Sequence, residues 1–308
     1  MIELRLFGPV ELRDRDGALV TELLRRPNRL ALLAYLATAR PHGLHRRDTL
    51  LGLFWPESSP KRARAALSQA LLVVRKALGD DVTETRGDGE VGISEGRVWS
   101  DVTAFEEAIG DERYEDAIGL YRGEFLEGFY LRSAPEFEKW VDGERDRARR
   151  AAIDVCSSLT RRCRERGDMT GATRWAERGT ALAPYEEASA RALLEVLADQ
   201  GKRARAIRAF EAFGKRLAAD IGIAPSPELR SLLDGIKERP ATVPTPPADI
   251  PAGPVEERYK RKEKLGEGGS AFVYVAEDLR YGRDVAIKIT KAGAYNETAA
   301  KRFEREIG

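Results

Sequence analysis

The chain has 308 residues, with 52 Lys and Arg against 51 Asp and Glu, 42% hydrophobic residues and two Cys. At about 100–200 residues per domain, this length allows two or three domains with real cores, and periodic apolar blocks exclude disorder for most of it. Cys156 and Cys163, seven apart on one predicted helix face, exclude a disulfide scaffold and read as buried thiols in a reducing cytoplasm. The longest apolar run, residues 30–39, stops at ten, against about 20 for a bilayer span. With no signal pattern at the N-terminus, a soluble cytoplasmic protein without membrane contact is expected.

The near-zero net charge hides a polarised distribution. Residues 25–79 carry eleven Lys or Arg (Arg25, Arg26, Arg29, Arg40, Arg46, Arg47, Lys61, Arg62, Arg64, Arg75 and Lys76) and only Asp48 and Glu57, a net of +9. Residues 101–239 hold 24 basic and 27 acidic residues, a net of −3. Such asymmetry points to a polyanion-binding face near the N-terminus.

In chain order, residues 2–6 and 10–12 alternate with period two around Gly8-Pro9, and residues 14–17 form a turn, predicting short antiparallel strands. Residues 30–39 predict an almost wholly apolar, buried helix, and residues 46–54 a second helix broken at Trp55-Pro56. The third helix is the best delimited. Ser59 suits its N-cap, Pro60 its first position and Gly79 its C′, while Ala63, Leu67, Ala70, Leu71, Val74 and Leu78 make one apolar stripe. Residues 82–86 and 91–94 then flank Gly87-Asp88-Gly89-Glu90, a hairpin signal. Strands, three helices and a hairpin in this order are those of a winged helix-turn-helix.

The third helix would be the reader. Lys61, Arg62, Arg64, Ser68, Gln69 and Arg75 lie outside its stripe. Arg forks onto guanine O6 and N7, Gln pairs with adenine N6 and N7, and Ser and Lys serve phosphates or base edges. Readers of this type present their N-terminal turns to bases, which favours Arg62, Arg64, Ser68 and Gln69. Arg75, Lys76, Arg46 and Arg47 are better placed for phosphates, and Arg86 near the wing tip for a minor groove. His42-x-x-His45 has no Cys or acidic cluster beside it and reads as a loop feature, not a metal site.

Residues 101–239 are helical in pattern throughout. A 34-residue offset relates Gly167 to Gly201 and Ala172 to Ala206, Pro184 closes the first unit, and a weaker unit centres on Ala117 and Tyr121. That period is the tetratricopeptide one, which predicts stacked helix pairs with a concave groove. The second unit delays its Pro to Pro225, so an insertion is expected there. Residues 240–257 contain six Pro and predict a semi-extended linker, after which short alternating strands lead to a helix at residues 297–307.

Several stretches carry a family resemblance. They are Arg46-Arg47-Asp48-Thr49-Leu50-Leu51 with Phe54-Trp55-Pro56, Ala63-Arg64-Ala65-Ala66-Leu67, and Tyr121-Arg122-Gly123-Glu124-Phe125-Leu126. To these add Trp140-Val141 with Glu144-Arg145, and Gly222-Ile223 with Pro225-Ser226-Pro227-Glu228-Leu229. With them, residues 1–239 resemble the SARP-type bacterial transcriptional regulators, an OmpR-like winged helix followed by a bacterial transcriptional activator domain. The resemblance implies double-stranded DNA as a partner and RNA polymerase or another protein on the helical repeats. It leaves open a homodimer on DNA.

Further on, Leu265-Gly266-Glu267-Gly268-Gly269-Ser270-Ala271-Phe272-Val273-Tyr274 lies between two strand-like runs rather than before a helix, which disfavours a Rossmann site. With Val285-Ala286-Ile287-Lys288 and Phe303-Glu304-Arg305-Glu306 it resembles the N-lobe of a bacterial eukaryotic-like Ser/Thr protein kinase. That resemblance implies Gly266, Gly268, Gly269, Val273 and Ala286 around ATP, Lys288 on the α/β-phosphates and Glu306 as its ion-pair partner. Ala271 replaces the third loop glycine. No His follows His45 and no Asp-Phe-Gly occurs, so no catalytic residue or metal ligand is assigned and a non-enzyme is expected.

The expected architecture is therefore multidomain. It comprises an α+β winged helix at 1–100, an all-α tetratricopeptide-like array at 101–239, a linker at 240–257 and an incomplete, β-rich kinase N-lobe at 258–308. No cofactor is required for DNA binding, and ATP with Mg would matter only to a complete kinase domain. The rival reading is the N-terminal part of a Ser/Thr kinase whose DNA-binding and repeat segments are regulatory.

Overall fold

The computed structural model describes residues 1–238, 259–267, 271–279 and 283–290. They fall into two units, Met1–Ala241 and Thr242–Gly308.

In the first unit, β1 (Ile2–Arg5) is the middle strand of a three-stranded sheet. It pairs antiparallel with β2 (Glu11–Arg13), Leu4 opposite Leu12, as the alternating pattern predicts. The turn between β2 and the next segment is held by Asp14, whose Oδ1 accepts from the amides of Asp16 and Ala18 at 2.9 Å each. The other edge of β1 pairs in parallel with β6 (Val98–Ser100). Three residues are too few to announce a strand by alternation, and β6 has no local signal.

Four helices follow β2: α1 (Thr21–Leu24), α2 (Pro27–Thr38), α3 (Arg47–Phe54) and α4 (Pro60–Leu78). The apolar α2 is buried on nearly every side, and all six stripe residues of α4 are buried. Ser59 caps α4 through its carbonyl, which accepts from Ala63 N at 2.9 Å, and its hydroxyl takes no part. Gly79 closes the helix as the cap itself, one position earlier than expected. The hairpin is β4 (Thr83–Arg86) with β5 (Glu90–Ile93), and a two-residue β3 (His45–Arg46) pairs with the outer side of β5.

The array comprises α5 (Asp101–Gly110), α6 (Tyr114–Leu120), α7 (Pro135–Glu165), α8 (Met169–Leu182), α9 (Glu187–Asp199), α10 (Arg203–Asp220) and α11 (Pro227–Glu238). Three of its helix-to-helix turns repeat one geometry. Glu112, Gly167 and Gly201 all have positive φ. The next amide in each case (Arg113, Asp168, Lys202) donates to the carbonyl five residues back, at 2.8, 2.9 and 2.9 Å. This 6→1 bond with a left-handed residue is the Schellman closure, for which Gly is the low-cost residue. Five residues past each left-handed residue stand Ala117, Ala172 and Ala206, all fully buried where the second helix crosses the first. The delayed Pro225 follows from α10, which has 18 residues where α8 has 14, and from a longer loop after it.

The two parts of this unit share one core. A single cluster of buried side chains runs from Ile2 to Leu159. Phe7 lies between Phe105 and Tyr121, with ring centroids at 5.3 and 5.0 Å. Tyr35 of α2 meets Trp140 of α7 at 4.8 Å, and Phe54 of α3 meets Phe137 at 5.1 Å. Truncating one such buried Phe to Ala costs about 3–5 kcal/mol. After α6 the chain docks on the end of β1: Gly8 N donates to Glu124 O at 2.9 Å, and Leu126 N to Leu6 O at 2.8 Å. A Cβ on Gly123 would lie 2.7 Å from Gly8 Cα, so only glycine permits this approach. Arg145 then locks the segment, donating to Phe125 O and Leu126 O at 2.9 Å each.

Asp101, the first residue of α5, is fully buried. Its carboxylate accepts from Leu6 N at 2.8 Å and Phe7 N at 3.1 Å, and Arg122 stands 3.9 Å away. Burial pushes its pKa up to about 6, against the pull of those two amides, Arg122 and Arg5.

The second unit contains one antiparallel sheet, β7 (Tyr259–Glu267), β8 (Ala271–Asp278) and β9 (Arg283–Thr290), in that order. Val273 is opposite Gly266 on one side and Lys288 on the other, and Ala286 is opposite Val275. Gly268, Gly269, Glu306, the 240–257 linker and the helix expected at 297–307 lie outside the described residues.

Two outcomes follow. The folded protein holds a proton on Asp101 that the unfolded chain releases between pH 3.8 and about 6. The site therefore adds stability, on the order of 3 kcal/mol, as pH falls through that window, and loses it as pH rises. Wild type should gain this much over Asp101→Asn between pH 7 and pH 4 in denaturant titrations; a pH-independent difference would refute the assignment. Residues 1–100 alone would expose Leu6, Phe7, Tyr35 and Phe54, so their thermal melt should be non-cooperative. A cooperative melt near that of the whole chain would show that the shared core is dispensable.

Candidate nucleic-acid interface

Ten residues are expected from the sequence to meet DNA, and the structure sorts them into two groups. Lys61, Arg62, Arg64, Ser68, Gln69 and Lys76 are exposed on α4. At 100° per residue, Arg62, Gln69 and Lys76 form one row and Arg64, Ser68 and Arg75 the opposite shoulder. Ala65 and Leu72 lie between these rows. Leu72 is 58% exposed, an apolar residue in the middle of a polar face. Its position outside the buried stripe was the only available sign of it.

The second group gathers at the wing. Arg46 faces Glu90 across β3 and β5, and Arg86 faces Glu90 across β4 and β5, with Arg86 Nη1 3.6 Å from Glu90 Oε2. Arg47 N donates to Gly89 O at 2.8 Å, which ties the first turn of α3 to the wing turn. Arg47 is half-buried, and its Nε has no hydrogen-bond partner among the described residues. Arg75 is also half-buried and donates from Nε to Thr83 Oγ1 on β4 at 2.6 Å. It braces the wing against α4, a role no local pattern reveals. Because α4 rises about 1.5 Å per residue, Arg62 and Arg75 stand about 20 Å apart along it.

A shallow cleft of about 420 Å³ opens beside the Gln69 row, lined by Arg25, Arg26, Asn28, Arg29 and Trp55. These arginines extend the basic surface beyond the ten assigned residues. The two histidines take different partners. His45 is buried against Tyr35 at 5.2 Å, and burial together with His42 lowers its pKa. His42 is exposed, with Nε2 3.5 Å from Glu106 Oε2. Among the described residues no group of three His, Cys, Asp or Glu is placed to hold a metal ion. Burial raises the Cys156 thiol to about 11, outside the range of a reactive thiolate. No described helix is long and apolar enough to cross a membrane.

Three comparisons bear on this arrangement. Residues 90–237 match the family model of the bacterial transcriptional activator domain. A Bifidobacterium longum (strain NCC 2705) protein, named as probable serine/threonine-protein kinase pknA2, is 43% identical over 60 residues. Those residues are 18% of this chain and 8% of that protein, so the chain spans under a tenth of this relative. The structure of Mycobacterium tuberculosis EmbR in complex with a low-affinity phosphopeptide aligns over 94% of each chain, with a TM-score of 0.55 and 18% identity. At that identity the likeness is one of fold.

The Arg75–Thr83 link yields a local prediction. Arg75→Ala or Thr83→Val should each cost about 1 kcal/mol and speed amide exchange in β4 and β5 more than in α2. Unchanged exchange in the hairpin would remove the bracing role.

Proposed function

Because residues 90–237 match the bacterial transcriptional activator domain, we propose that the protein is a DNA-binding transcriptional activator of the SARP type whose α4 reads base edges. One observation carries this reading. The +9 window folds so that its base-directed side chains are solvent-exposed on one helix, while Arg46, Arg47 and Arg75 collect beside the wing. Arg62, Arg64, Ser68 and Gln69 are assigned to bases in the major groove. Arg46, Arg47, Lys61 and Lys76 take phosphates, and Arg86 enters the adjacent minor groove. Arg75 acts through the wing that it braces. The acidic array is repelled by the duplex and supplies protein contacts, with RNA polymerase or another protein as partner. Such a protein works in the cytoplasm, where the chromosome lies.

The second unit favours a kinase-type reading of its own. The β7–β8 hairpin flanks the glycine segment, and β9 sets Lys288 opposite Val273, next to Gly266 in register. In that reading Gly266, Gly268, Gly269, Val273, Ala286, Lys288 and Glu306 would hold ATP. The 308 residues include neither a His-Arg-Asp nor an Asp-Phe-Gly segment. Phosphoryl transfer by this sequence therefore has no base or metal ligand of the kinase pattern, and the reading stops at nucleotide contact.

Duplex binding should weaken steeply with salt. Six phosphate contacts would give a log–log slope near −5, and a slope shallower than about −2 would sink the electrostatic half of the proposal. On a duplex selected from random sequence, Arg64→Ala should cost about 1–3 kcal/mol and relax base preference. Arg46→Ala should weaken all duplexes alike. Identical behaviour of the two variants across sequences would overturn the choice of α4 as reader.

A further inference from the structure

At the joint between the winged helix and the array, a half-open cavity of about 220 Å³ lies between Arg40, just past α2, and helices α5 and α7. Its floor is apolar, built from Phe7, Phe105, Ile109, Phe125, Ala148 and Ala151. Protein interiors rarely leave a void this large. Here it persists because α7 turns two alanines toward the aromatic side chains. An apolar cavity of about 150 Å³ is enough for benzene, so this one accepts a ring or a branched chain with atoms to spare.

The rim is charged and balanced. It carries two guanidiniums, Arg40 and Arg147, and two carboxylates, Glu106 and Glu144. Both guanidiniums converge on Glu106 Oε1, Arg147 Nη2 at 3.1 Å and Arg40 Nη2 in direct contact. The same Arg147 nitrogen also contacts Glu144. One donor nitrogen thus serves two acids and one acceptor oxygen serves two bases, while Glu106 Oε2 faces His42 Nε2 at 3.5 Å, so donors and acceptors of both signs meet at the mouth of the cavity. Burial raises the Glu144 pKa, with Arg147 and Arg40 opposing it.

We propose that this cavity binds a zwitterionic amphiphile of the apolar α-amino acid class. Its side chain lies among the phenylalanines, its carboxylate takes Arg40 and Arg147, and its ammonium takes Glu106 and Glu144. The head must carry both charges. An amine alone would compete with the guanidiniums for the same two acids, and an acid alone would displace Glu106 without repairing it. A neutral hydrocarbon would cover the rim while adding nothing to it. Only a head with donors and acceptors side by side extends the alternating pattern. The walls come from both sides of the joint, Phe7 and Arg40 from one and α5 and α7 from the other. An occupant therefore tightens the junction between DNA reader and array. Binding itself does not depend on the DNA-reading proposal.

The test is calorimetric titration of the full chain with L-phenylalanine and L-leucine, beside glycine, phenethylamine and 3-phenylpropanoate. The two apolar amino acids should bind saturably, and the other three about tenfold more weakly or worse, since each lacks a charge or the side chain. Ala148→Phe, which fills the floor, should abolish the heat. Arg40→Gln, an exposed change with little claim on folding, should weaken binding about tenfold. Far-UV circular dichroism and a cooperative thermal melt check that both variants are folded. Three results would overturn the proposal: no saturable heat with either amino acid, phenethylamine or phenylpropanoate binding as tightly as phenylalanine, or unaltered binding in folded Arg40→Gln.

Discussion

A single buried carboxylate sets the frame for the rest of the molecule. β1 ends at Arg5, and the amides of Leu6 and Phe7 beyond it point into a dry core. A buried amide without an acceptor costs about 1–3 kcal/mol, and here Asp101 accepts from both. Asp101 also sits in the first turn of α5, where a negative charge is favoured by the exposed helix amides. One side chain therefore fixes where the opening sheet stops and where the array starts. Phe7 is then delivered between Phe105 and Tyr121, and residues 121–128 can lie along the strand end.

This joint changes what an activator of this layout can do. DNA-reading and partner-binding parts joined by a flexible tether would act through local concentration alone. Here α2 and α3 pack directly on α7 through Tyr35, Phe54, Phe137 and Trp140. The array is thereby held at a set orientation to α4, and anything that loosens the joint is felt on both sides of it. The cavity behind Arg40 sits at the place where such a change would have the largest effect.

The wing is tied in by equally short connections. Arg75 joins the end of α4 to β4, and Arg47 joins the start of α3 to the wing turn. Glu90 stands between Arg46 and Arg86, so a positive cluster can exist without unrelieved like-charge repulsion. Among the described residues no ion pair engages Arg62 or Lys76 on α4, and that row stays exposed. The cations at the wing and the exposed row on the helix thus differ in how far their side chains are already committed.

The parts legible in the sequence were those governed by neighbours a few residues away. Helix α4 announced itself through Ser59, Pro60, the buried stripe and Gly79, and the hairpin through Gly87-Asp88-Gly89. The 34-residue spacing of Gly167 and Gly201 was readable because one turn geometry favours glycine at each, although Glu112 adopts it too. The exposed face of α4 was legible as the complement of its stripe. What the tertiary structure alone decided were contacts whose partners lie far along the chain. β6 pairs with β1 across nearly a hundred residues, and β3 is a strand only because β5 lies beside it. Asp101 looks like any acid at a helix start until Leu6 and Phe7 are seen above it, and Arg75 like any surface cation until Thr83 is placed. Gly123 is a glycine because Gly8 must come within van der Waals reach. Local sequence sets dihedral preference and amphipathic phase. Which distant amide, carbonyl or ring a side chain meets is settled only when the core closes.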